Sequence, residues 1–67
     1  MYDLVGVDGN AFGVMAYVVK AMREVGFNQK CREKYIQNAT KGDYSHLLCV
    51  SMEMVAECNE CLNKVYK

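Results

Sequence analysis

The stretch Val7-Asp8-Gly9-Asn10-Ala11-Phe12-Gly13-Val14-Met15-Ala16-Tyr17-Val18-Val19-Lys20-Ala21-Met22 decides how the chain is read. A polar turn carrying Gly9 runs straight into a segment that is apolar around most of a helical circumference. At 100° per residue, Phe12, Met15, Ala16, Val19 and Met22 share one face. Val14, Val18, Ala21 and Val25 carry the apolar arc past half the circumference, leaving mainly Gly13, Lys20 and Glu24 for water. So broad an arc implies burial on two sides, and this helix, residues 11–25, is expected at the centre of a small helical unit. Asn10 (or Asp8) suits the N-cap, Gly9 permits a left-handed turn, and Gly26 is the expected stop.

On the N-terminal side, residues 2–7 alternate loosely and are partly β-branched, which suggests a short extended segment. A lone strand lies either in an apolar groove of the helices or against its copy in a second subunit. On the C-terminal side, Asn28 caps a second helix, residues 29–41, with Gly42 as its terminating residue. Cys31, Tyr35, Ile36 and Ala39 form a narrow stripe opposite Lys30, Arg32, Glu33, Lys34, Gln37 and Asn38, so this helix is expected outermost. Asp43 then caps a long third helix, residues 44–66. Tyr44, Leu48, Ser51, Val55, Cys58, Leu62 and Tyr66 make its main face, with Leu47 and Val65 beside them; Val50, Met54 and Cys61 widen one flank and Met52 the other. The expected fold is therefore all-α: an up-down-up three-helix bundle with a short extended N-terminal segment and a long C-terminal helix.

Sixty-seven residues make a single domain close to the size at which a core needs help from a metal, a disulfide or a partner. Apolar residues are 52% of the chain, more than so small a core can hide. The third helix would be ~35 Å long at 1.5 Å per residue, and its last turns overhang the other two. That overhang is covered either by the N-terminal segment or by a second subunit. The sequence favours a homodimer, with Val50, Met54, Cys58, Cys61, Leu62, Val65 and Tyr66 as its interface. The formal net charge of zero argues against nucleic acid and against an anionic membrane surface. The longest apolar run, residues 11–19, is too short to span a bilayer, and no secretory leader is legible, so a cytoplasmic protein is expected.

Four cysteines, Cys31, Cys49, Cys58 and Cys61, include one C-x-x-C pair. Redox pairs of this kind open a helix, where the dipole lowers the thiol pKa, whereas this one lies late in a long helix. Cys31 and Cys49 do not provide the second short-spaced pair of a Cys₄ zinc site. Packing or surface roles are expected, with Cys49 the exposed thiol, and no metal or cofactor is called for. In an up-down-up bundle the first and third helices are parallel, so their N-termini share one end. That gathers Asp8, Gly9, Asn10, Lys41, Asp43, Tyr44 and His46 into one corner, where free amides favour anions. Two readings stay open there: capping and corner packing, or a small nucleotide-like anion held by backbone N–H groups with Lys41 and His46. No P-loop and no Ser/Cys–His–acid arrangement is legible, so no catalytic residue is assigned.

The runs Asp3-Leu4-Val5-Gly6-x-Asp8-Gly9-Asn10-Ala11-Phe12-x-x-Met15 and Ala39-x-x-Gly42-Asp43-Tyr44-x-His46-Leu47-Leu48 resemble a family of short uncharacterised bacterial and phage proteins. The resemblance covers most of the chain and implies a bacterial or phage-borne origin, but no activity, substrate or cofactor. The expected role is a non-enzymatic, oligomeric interaction or regulatory module. The alternative is a protein that binds or sequesters a small anion at the helix-start corner.

Overall fold

The computed structural model describes residues 1–7 and 9–65, with the side chain of residue 65 excepted. Three helices follow one another: α1 over Ala11–Glu24, α2 over Gln29–Ala39 and α3 over Tyr44–Val65. The fold is an all-α bundle, as the periodicity implies, and its helix starts are chemically explicit. The Asn10 side chain accepts the Gly13 N–H at 2.7 Å, Asn28 accepts that of Cys31 at 3.0 Å, and Asp43 accepts that of His46 at 2.9 Å.

The helix ends differ from one another. After α1, Gly26 adopts φ +98°, its N–H donates to the Arg23 carbonyl, and the Phe27 N–H donates to that of Met22. This double back-bond is the Schellman arrangement, which requires a left-handed residue. α2 stops two residues earlier than expected, at Ala39, where Thr40 Oγ1 donates to the Ile36 carbonyl at 2.8 Å and competes for the last turn. Gly42 is not left-handed, contrary to expectation. A Cβ on it would lie 2.9 Å from Cβ and Cγ of His46, so glycine is required there by the close approach of α3.

Packing revises which helix is central. α3 lies against both α1 and α2, while α1 and α2 touch each other less, so α3 is the middle element and α1 a flank. The core comprises Val18, Ala21 and Met22 of α1, Tyr35 and Ala39 of α2, and Leu47, Val55 and Cys58 of α3. The buried face of α1 is thus rotated from the one expected: Val14, Val18, Ala21 and Met22 point inward, while Phe12 is 81% exposed and Ala16 is exposed. The stripe of α2 narrows to Tyr35 and Ala39, with Cys31 and Ile36 exposed. On α3, Leu47 is buried, while Leu48 and Leu62 are half-buried and Tyr44 is exposed.

The first seven residues form an arm, not a strand. Its main chain turns at residues 4–7, where the Val7 N–H donates to the Leu4 carbonyl at 3.2 Å and Gly6 adopts φ +85°. Before the turn the arm is tied to its own chain. The Tyr2 N–H donates to Asn59 Oδ1 at 2.7 Å, and Asn59 Nδ2 donates back to the Tyr2 carbonyl at 3.0 Å. The Asn59 amide therefore satisfies both backbone groups of Tyr2, as a neighbouring strand would. The Asp3 N–H donates to Tyr17 Oη at 2.9 Å, and the Tyr2 and Tyr17 rings meet edge to face at 6.3 Å. Tyr2 and Leu4 pack against the core. Of the two places a lone N-terminal segment could lie, the chain uses the groove of its own helices.

Candidate functional site

The corner where α1 and α3 begin is assembled as the parallel arrangement requires. The Tyr44 hydroxyl of α3 donates to the Gly9 carbonyl just ahead of α1, which joins the two helix starts directly. Asn10 and Asp43 occupy amides of their own first turns, and His46 Nε2 sits 2.8 Å from the Asn38 carbonyl of α2. Lys41 is exposed beyond the end of α2, with its backbone N–H donating to the Asn38 carbonyl at 3.3 Å. Asp8 lies outside the described residues. The shallow groove beside the corner has a volume of about 250 Å³, and Ala11, Met15, Ala39 and Leu47 give it an apolar lining. An anion placed here would compete with Asn10 and Asp43 for the first-turn amides, and Asp43 adds a carboxylate beside it.

The expected interface residues divide into three groups. Cys58 is fully buried within its own chain and belongs to the core. This is a correction, because the α1–α3 contact closes over that position. Val50 and Met54 are half-buried in a groove between α2 and α3, and Cys61 and Leu62 are half-buried further along α3. Tyr66 and the side chain of Val65 lie outside what the structure describes.

Cys49 is exposed as expected, whereas Cys31, expected on the apolar stripe of α2, is exposed as well. All four cysteines are free, and burial, reinforced by Cys61 and Glu57, pushes the Cys58 thiol up to about 11. A thiol held protonated is a poor nucleophile and a poor metal ligand. Among the described residues no group of three His, Cys, Asp or Glu side chains is placed to hold a metal ion, and no helix is long and apolar enough to cross a membrane.

Two features carry structure that the sequence pattern did not reveal. One is the Tyr2–Asn59 pairing with its companion, the Tyr2 hydroxyl donating to Glu24 at 2.7 Å. The only local signal is a polar Asn59 beside the core stripe of α3. The other is a second groove, about 430 Å³, bounded by the arm at Leu4 and Val5 and by Leu48, Met52 and Ala56 of α3. Val5 is 86% and Met52 62% exposed there. Comparison with protein-family models, with curated proteins and with solved structures returns no match.

Proposed function

We propose that the chain is a small non-enzymatic interaction or regulatory module that works as an oligomer, a homodimer in the first instance. The observation that carries this reading is apolar surface left uncovered by one subunit. Val5, Phe12 and Met52 stand mostly in solvent, and two grooves with apolar floors run along α3. Two of the groups that could carry chemistry have structural partners: His46 rests on a backbone carbonyl and Cys58 is packed in the core. Sedimentation across the micromolar range tests the proposal, with a mass twice the 7.6 kDa of the chain expected. A 7.6 kDa species at every concentration overturns it.

The Tyr44–Gly9 bond favours a second reading, a small nucleotide-like anion held where the two helices start. A thermal-shift series with inorganic phosphate and nucleotides tests it. Binding raises the melting temperature with ligand concentration, and a temperature that no ligand moves removes this reading.

A further inference from the structure

The arm covers the α1–α3 side of the bundle through Tyr2 and Leu4 and leaves the groove between α2 and α3 open. That open groove, about 330 Å³, has a floor of Tyr35, Val50 and Met54. Its two walls are oppositely charged. Lys34 lines the α2 side, with exposed Lys30 one turn before it on the same rim. Glu53 and Glu57, both exposed, line the α3 side.

We infer that this groove is closed by a second copy of the chain, related by a two-fold axis running along the groove. The inference rests on the oligomeric reading above and names the surface it uses. A two-fold axis along a groove carries each wall onto the opposite wall of the partner at the same height. The lysine rim of each copy then meets the glutamate rim of the other, and the two apolar floors come face to face. An axis across the groove would instead set lysine on lysine and glutamate on glutamate, so charge selects the first arrangement. α2 and α3 are antiparallel, so α2 of each copy lies antiparallel over α3 of its partner, and the four form a bundle. The zero net charge leaves no long-range repulsion against the approach of an identical chain.

Wall reversal tests this directly. One variant carries Lys30→Glu and Lys34→Glu, the other Glu53→Lys and Glu57→Lys. All four positions are exposed, so circular dichroism should show both variants folded. Each variant alone has like-charged walls, and its self-association should weaken by about 100-fold or more. Mixed in equal amounts, the two have complementary walls and should form a mixed dimer, resolved by native mass spectrometry. If the unmodified chain dimerises and both reversed variants dimerise equally well, the groove assignment falls while the oligomeric reading stands. If the unmodified chain is monomeric throughout, both fall.

Discussion

The hydroxyls of Tyr35 and Ser51 lie 2.6 Å apart inside the core, with Ser51 fully buried and Tyr35 2% exposed. Each is the other's answer to desolvation, because a buried hydroxyl without a partner costs about 1–3 kcal/mol. Burial pushes the Tyr35 phenol up, and its bond to Ser51 acts in the opposite sense. Tyr35→Phe should therefore destabilise the fold by about 1–3 kcal/mol. Adding Ser51→Ala should recover part of that loss, because the stranded group is removed with its partner. Denaturant melts of the two single variants and the double variant measure the coupling, and strict additivity would show that the pair does not act as a unit. At this scale local chemistry was legible: Asn10, Asn28 and Asp43 cap their helices because a cap needs only its own next three residues. Gly42 was misread for the converse reason. Its constraint comes from His46 in the following helix, not from its own backbone angle.

At the scale of elements, the arm and α3 share a sensitivity to alkali. A hydrogen bond to the Glu24 carboxylate, helped by partial burial and by the Glu24 charge, pushes the Tyr2 phenol up to about 12 from its ordinary 10.0. Cys58 rises from 9.0 to about 11, chiefly through burial. Both groups are neutral when protonated, and the folded chain holds their protons after the unfolded chain has released them. Their contribution to stability is complete below about pH 9 and is lost as pH climbs through the window that ends near 12. Thermal melts should show a decline beginning above pH 9. Glu24→Gln should move the Tyr2 phenolate midpoint back towards 10, read by ultraviolet absorbance with Tyr2→Phe identifying the signal. A midpoint that does not move would show that Glu24 is not the cause. The elements themselves follow from periodicity, but the rotation of α1 does not. Its apolar arc takes in both Phe12 and Val14, and periodicity alone does not say which of the two is buried; in the fold it is Val14.

For the whole molecule, the Cα extents of 37 × 27 × 15 Å describe a flattened body with α3 along its middle. A slab three helices wide has two faces, and the arm covers only part of one. α3, at 22 residues, is ~33 Å long against ~21 Å for the 14-residue α1, so α1 packed alongside it leaves part of its length uncovered. That some apolar surface stays exposed was legible in the sequence as surplus apolar content. Which groove stays open was not, because that depends on where the arm goes. The arm is positioned by a contact between residues 57 apart in the chain, and such a pairing leaves no periodic trace. The helix-start corner was legible for the opposite reason, since topology alone brings Gly9 to Tyr44.

The Asn59 side chain that holds Tyr2 has one more consequence, in the order of folding. Each helix closes through bonds four residues apart, whereas this clasp must close almost the entire chain into a loop. Loop-closure entropy grows as the logarithm of loop length, so the clasp costs less once α1 and α3 have already docked and shortened the effective loop. Asn59 presents both its amide groups only after α3 is helical there. The arm is therefore expected to dock last and open first, which hydrogen exchange would read as weaker protection of the Tyr2 and Asp3 amides than of the α3 backbone. With the arm undocked, Tyr17, Leu48 and Val55 would lose part of their cover, so that α3 would be bare on the arm's side as well as along the α2 groove.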